Sequence, residues 1–466
     1  MVFLVLALMM QTDQSTINVP SYAKRVTVKL MRTVVPDAGP SNWPVLATDI
    51  VTQVRFRANR RWTDWEPRNM LRGGDMDDSD GDGIPDWVSV MRLRETGNLM
   101  FADTSISPWM PPEDDYWRGK ARVIGRFVDE IDHPPGAKHS LRLLRGTSDG
   151  QDTAAMRLDL VPSDTDLTVC GWTKYDLGSE TSMGVMARFH EFDAEGNRVN
   201  KYVLLGDDDF HQPSGHSEWV WRALSFRSRP DTTFLNLYPI RMIAAQGSAW
   251  ASNYEIRLGS VWGSGRRILW DCFDDPADWE ISGGGKLDKD RLILTPEPLK
   301  VATAVQRKPI KVSPGRLYAF RVSMQNDVPP HYEPTHQAWV SAYLEFFDKD
   351  MRFLDYCKVM AFRPVMERPV GAAMHAPKEA AYARFMLAAS HITYGDKAGM
   401  DGPMTATFGE LQLEESSFDP TFARRPDGPV SLAVPREASK MEVRSFLLSR
   451  EKSLKPSFER YEIEWQ

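Results

Sequence analysis

Long apolar runs are missing from this chain of 466 residues. Mean hydropathy is −0.41 and nothing approaches the roughly 20 consecutive apolar residues a membrane helix requires. An excess of positive charge is missing too: Lys and Arg number 57 against 64 Asp and Glu, a net charge of −7. With no basic run either, a broad nucleic-acid footprint is excluded. Cysteine is scarce. Cys170, Cys272 and Cys357 are scattered without a C-x-x-C pair, which argues against a zinc site or redox dithiol and for three small apolar side chains. G-x-S-x-G, H-E-x-x-H and P-loop patterns are absent, so no nucleophile, zinc hydrolase or nucleotide site is announced. Helical stripes are lacking as well; the best candidate, Lys378 to Arg384, is short.

What is present reads as β structure. Gly and Pro together supply 31 and 32 residues of punctuation, and 15 Trp is a high count. Val26, Val28 and Leu30 alternate with polar neighbours, as do Val54, Phe56 and Ala58, and at the far end Tyr461, Ile463 and Trp465. The length asks for two or three domains. Met1 to Met10 form an apolar block that resembles the core of a secretory signal, although a basic n-region and an A-x-A site are missing. The expectation is a signal segment over 1–14 and an extracellular, periplasmic or cell-surface location.

An internal repeat sets the architecture. Val161 to Trp172 matches Val312 to Val322, Phe189 to Gly196 matches Leu344 to Asp350, and Leu235 to Leu237 matches Phe385 to Leu387. With Val261 and Leu411 in the closing strands, these landmarks lie about 150–155 residues apart and in the same order. The repeats open near Asn69 and Leu269. The sequence therefore predicts an all-β chain with sandwiches over 69–264 and 268–420, flanked by β segments over 15–68 and 428–466. Neither flank holds enough strands for a core of its own, so they pair with each other or add to the repeats.

Asn69 to Trp87 (an N-x-L-x-x-G-D-x-D opening and an acidic turn), His139 to Leu143, Val161 to Lys174, Phe189 to Val199 and Glu218 to Phe226 together resemble jelly-roll carbohydrate-binding modules of the xylan- and cellulose-binding type. The likeness covers about 69–262, and more loosely 269–415. It implies two tandem galactose-binding-like jelly-roll sandwiches in a secreted glycan-processing setting. Strands with D-x-x-G turns between them suit that fold on their own account. Trp172, Phe189, Phe192, Trp221 and Phe226 lie inside strand patterns and are expected in the core.

The densest chemical signal is Asp75, Asp77, Asp78, Asp80, Asp82 and Asp86. Crowded carboxylates repel unless a cation sits among them, and alternate hard oxygens with intervening glycines suit Ca²⁺. The loop resembles those of thrombospondin type 3 repeats without the last acid. The module family adds an acid from the closing strand. Glu410 holds that place in the second repeat, and Gly259 and Ser260 in the first. For glycan contact, Trp109, Tyr116 and Trp117 stand in a Pro- and Asp-rich stretch beside Asp114 and Asp115. The second repeat offers His331, Tyr332, His336 and Trp339. A ring flanked by carboxylates suits stacking on a sugar; interdomain packing is the competing use. The expected function is a noncatalytic glycan-binding protein of an exported polysaccharide-processing system, stabilised by Ca²⁺. The partner is a polysaccharide or oligosaccharide, without nucleic acid or a membrane span. A hydrolase or lyase on a β-sandwich, and a cell-surface adhesion protein with protein partners, are the alternatives.

Overall fold

The computed structural model describes residues 12–33, 48–62, 70–71, 74–79, 81, 85, 88–93, 120–122, 127–146, 151–158, 160–162, 164–179, 181, 184–193, 198–206, 210–263, 265–271, 273–297, 300–327, 336–361, 368–393, 404–421, 430–449 and 457–466. These residues are overwhelmingly strand. In chain order come β1 (Thr12–Asn18), β2 (Arg25–Thr33), β3 (Thr48–Ala58) and β4 (Arg61–Trp62). The first repeat holds β5 (Ser89–Leu93), β6 (Lys120–Arg122), β7 (Val128–Asp129), β8 (Ser140–Arg145), β9 (Gln151–Leu158) and β10 (Asp166–Leu177). It continues through β11 (Gly184–Phe192), β12 (Arg198–Leu205), β13 (Val220–Arg227), β14 (Phe234–Ile243) and β15 (Gly247–Leu258). The second holds β16 (Arg266–Asp271), β17 (Trp279–Ser282), β18 (Gly285–Asp288), β19 (Arg291–Leu294), β20 (Lys300–Gln306) and β21 (Ile310–Lys311). It ends with β22 (Leu317–Asn326), β23 (His336–Phe347), β24 (Phe353–Ala361), β25 (Arg368–His375), β26 (Tyr382–Thr393) and β27 (Ala406–Glu415). Last are β28 (Val430–Ala433), β29 (Ala438–Ser449) and β30 (Ser457–Trp465).

The repeats share their sheets. One layer runs β18-β19-β27-β22-β25-β13-β10-β15-β8-β7, with β16 beside β27. The facing layer runs β17-β20-β26-β23-β24-β12-β11-β14-β9-β5-β6, with β21 beside β26. The junctions are β13 with β25 and β12 with β24, each an antiparallel pairing of equivalent strands. The repeats are therefore related by a pseudo-twofold axis and joined edge to edge in both layers. A sandwich edge exposes unpaired N–H and C=O groups, and this union covers two edges of each repeat. One apolar core runs through both, from Leu143, Phe189 and Leu237 to Phe320, Leu344 and Leu413. Arg222 of the first repeat crosses the junction to Asp355 of the second through paired contacts of 2.8 and 3.0 Å.

The flanks pair with each other. One sheet runs β1-β29-β3-β4 and the other β28-β2-β30, around Val26, Val28, Val54, Phe56, Met441 and Val443. The alternating residues of β2 and β3 supply that core, as their period of two requires. The repeats are thus an insertion within a small terminal β domain.

Two expectations fail. Lys378 and Glu379 form a turn, and Tyr382 to Arg384 open β26, because cross-strand pairing with β23 overrides the helix propensity of an Ala-rich stretch. Val261 lies beyond β15, so it does not match Leu411. A bulge relates the closing strands: β27 bulges at Glu410, between Leu411 and Gly409, and β15 at Asn253–Tyr254. Gly171 faces that bulge because a Cβ there would meet the Tyr254 ring at 2.5–2.8 Å. The first-repeat counterpart of Glu410 is accordingly Asn253, a buried residue with φ 50°, rather than Gly259 or Ser260.

Candidate functional site

The acidic segment docks on the β15 bulge. Tyr254 N donates to Gly74 O at 2.9 Å and Met70 N to Ile256 O at 2.7 Å. Met76 is buried with φ 59°, and Phe273 does the same at the opening of the second repeat, also at 59°. Asp77 meets His139 Nδ1 at 2.9 Å, and Asp78 accepts from Gly81 N at 2.9 Å. Asp75 is half-buried. Asp80, Asp82 and Asp86 lie outside the described residues, as do Trp109, Asp114, Asp115, Tyr116, Trp117, His331 and Tyr332. Among the described residues no three His, Cys, Asp or Glu side chains converge. Glu410 is not with this loop: it is ion-paired to Arg321 at 3.1 Å on the second repeat.

His336 opens β23 opposite Thr393. Trp339 corrects the expectation of a loop ring open to sugar. It lies within β23 and is 2% exposed, with Phe210 edge-on to it at 6.3 Å. The cover comes from the first repeat. After β12 its chain crosses the outward face of β23 and β24, where Lys358 Nζ donates to Gly206 O and Tyr356 OH to His211 O at 3.0 Å. His211 stacks on Phe353 at 4.7 Å and meets Glu345 at 2.9 Å, and Glu345 also takes Arg384 at 3.0 Å. This face of the second repeat is largely used for packing.

Its lower margin stays open. Phe353, Phe347, Tyr382 and Lys311 stand in register across β24, β23, β26 and β21. Phe353 is 45% exposed, and Arg384 lies 4.8 Å from the Phe347 ring centre. Beside Tyr382 opens a cleft of about 650 Å³, with Lys311, Lys349, Asp348 and Glu379 among its lining residues and Val312, Pro314 and Ala380 as apolar walls. Asp348 is fixed by the backbone N–H groups of Arg352 and Asp350, at 2.9 and 2.8 Å. The hydrogen bond from Arg352 N, chiefly, holds its carboxyl below the usual range. An aromatic flank with two ammonium and two carboxylate groups around a cleft of this size fits a small polar ligand.

The corresponding sheet face of the first repeat has other chemistry. Lys201, His190, Asn236 and Arg157 form a cross-strand row over β12, β11, β14 and β9. Tyr238 lies 4.9 Å from the His190 ring, and Phe192 stacks on Phe234 at 4.7 Å. His190 is fully buried with neither ring nitrogen hydrogen-bonded; burial chiefly, with Arg188, Arg198 and Lys201 adding to it, pushes its pKa well down. Its counterpart in the second repeat is Glu345. Sequence reasoning missed this row and the cleft. The readable signal was the alternation of Arg188 with His190 in β11 and of Asn236 with Tyr238 in β14, but which face they share depends on the pairing partner.

Scans of family models and of curated proteins find no match. Solved structures do. The N-terminal CBM22-1–CBM22-2 tandem domain of Paenibacillus barcinonensis Xyn10C is 12% identical, with 62% of this chain and 89% of that one covered, at a TM-score of 0.24. The N-terminal cellulose-binding domain of Cellulomonas fimi β-1,4-glucanase C is 12% identical over 34% of this chain and 99% of that one, TM-score 0.23. The enzymatically active domain of bacteriophage CBA120 tailspike protein 4 is 14% identical over 28% and 17%, TM-score 0.23. At such scores the assignment of β-sandwich rests on the strand pairings themselves. No described helix is long and apolar enough to cross a membrane.

Proposed function

We propose that the chain is a noncatalytic glycan-binding protein whose contact site includes the cleft beside Tyr382. The observation that carries this reading is the cleft itself: an aromatic side chain, apolar walls and four charged groups around a volume of about 650 Å³. Sugars present apolar C–H faces and hydroxyl edges, and pair with rings and with charged hydrogen-bonding groups respectively. The likeness of the sequence motifs to xylan- and cellulose-binding modules supports the same ligand class.

The reading includes an exported polysaccharide-processing system as the setting and Ca²⁺ in a structural role at Asp75 to Asp86. In favour of the ion, the described part of the loop curls through positive φ at Met76 and Gly81, and the bulge it docks on carries Asn253, an amide-oxygen residue. The test of function is retardation of the full chain on gels containing soluble xylan or hydroxyethylcellulose. Tyr382→Ala is expected to weaken retention about tenfold, since aromatic rings at binding sites contribute about 1–2 kcal/mol. Release of reducing ends or unsaturated products by the wild type would replace this reading with an enzymatic one.

A further inference from the structure

The chain that leaves β12 is tied to the first repeat at two points and reaches the second repeat between them. Gly206, at φ 65°, lies so close to Val185 that a Cβ would meet Val185 O at 2.2 Å. Gly184 admits Pro213 O in the same way, at 2.4 Å. Between these ties Phe210 and His211 form a strap across the outward face of β23 and β24. Phe210 meets the rings of Trp339 and Tyr343 edge-on at 6.3 and 6.0 Å. His211 lies parallel to Phe353, with 1° between the planes, and stacks on Tyr356 at 4.7 Å.

The face beneath the strap is continuous with the cleft. Val340, Ala342 and Leu344 enter the core, so Ser341, Tyr343 and Glu345 face outward with Trp339. Tyr356 and Arg384 stand opposite Glu345 on either side, and the next row, Phe353, Phe347 and Tyr382, leads into the cleft. Two features make the strap a replaceable cover. Ser341 Oγ and Ser390 Oγ, the latter opposite Trp339, are buried and meet no hydrogen-bond partner among the described residues. A cover that leaves buried hydroxyls unpaired loses part of what burial contributes. Glu345, which His211 Nε2 meets at 2.9 Å, is also held by Arg384 at 3.0 Å, so withdrawal of the imidazole strands no buried charge.

We infer that the strap is an internal occupant that regulates the cleft's glycan site: Phe210 and His211 cover the aromatic face that continues it, and a glycan chain entering beside Tyr382 displaces them. A sugar ring then takes the place of the imidazole on Phe353, and hydroxyls of the chain pair with Ser341 and Ser390. The strap holds the site short until a ligand long enough to compete with it arrives, so short oligosaccharides reach the cleft alone. The inference rests on the glycan-binding reading and adds to it a competitor built into the first repeat.

The test uses the full chain with soluble xylan and hydroxyethylcellulose, by gel retardation and by hydrogen exchange. Phe210→Ala with His211→Ala is expected to raise retention about threefold or more, because the ligand no longer competes with the strap. Adding Phe353→Ala should cancel most of that gain. In the wild type, either polysaccharide should speed amide exchange at Phe210 to Gln212. Should the strap variant lower the melting temperature, this wild-type exchange decides: unchanged or slower exchange with bound polysaccharide would overturn the inference. Unchanged or weaker retention of a strap variant that melts normally would also overturn it, while the cleft stands if Tyr382→Ala still weakens wild-type retention. A gain in the strap variant with no effect of Tyr382→Ala would keep the covered face and remove the cleft. Absence of retention for wild type and strap variant alike would overturn both readings.

Discussion

Glu191 in β11 is fully buried, and only one of its carboxyl oxygens is bonded. That oxygen accepts from Thr232 Oγ1 at 2.8 Å and from Arg229 N at 3.3 Å. Burial chiefly raises its pKa from the ordinary 4.5 to about 7, against the opposing pull of those two bonds. The folded chain therefore binds a proton here that the unfolded chain releases between these two values. The associated stability is complete below pH 4.5, declines as pH rises, and is gone above pH 7. A gap of roughly two to three units at 1.36 kcal/mol each gives about 3 kcal/mol between pH 4 and pH 8. Glu191→Gln keeps an acceptor for Thr232 and Arg229 without an ionisable proton. Urea unfolding followed by tryptophan fluorescence at several pH values should show the wild type losing about 3 kcal/mol relative to the variant on going from pH 4 to pH 8. Parallel pH profiles for the two proteins would refute the assignment of a buried, neutral carboxyl at this position.

Three further outcomes are expected. Trp221 is buried beneath Phe418, 5.8 Å away, so Trp221→Ala should cost about 3–5 kcal/mol in chemical denaturation through the cavity it leaves. Asp355→Ala strands the buried Arg222 guanidinium at the junction of the repeats and should cost about 3 kcal/mol, whereas Asp355→Asn should recover part of it. A chelator should lower the melting temperature of the wild type, and Asp80→Ala with Asp82→Ala should abolish that response, as linkage requires of an ion bound only by the native state; unchanged melting with chelator would count against the ion.

Much of the fold was legible because strand alternation is local. Val26, Val28, Val54 and Phe56 face a core as their spacing requires. Phe189, Trp221 and Phe226 are buried as strand residues. What the sequence hid was pairing between distant segments. Nothing local in β12 or β24 says that each meets its own equivalent, and the burial of Trp339 follows from that meeting. The candidate cleft escaped notice for a related reason: Lys311, Asp348 and Tyr382 come from three separate segments. Glu410 was singled out by its place in the repeat, but a one-residue bulge fixed its neighbours, and bulges leave little trace in a hydrophobic pattern.

The insertion of the repeats into the terminal domain also has a consequence in time. β3 of that domain is synthesised long before its partner β29, and the chain between them, 59–437, includes every strand of both sandwiches. At about 5–20 residues per second, β2 and β3 wait on the order of 20–75 s for β28, β29 and β30. During that wait Val26, Val28, Val54 and Phe56 lack Met441 and Val443, the other members of their core. The sandwiches meanwhile have all their partners and can close first. Clasping of the flanking domain must wait for β30, which pairs with β2, and for Gln466, whose O receives Arg25 N at 2.8 Å.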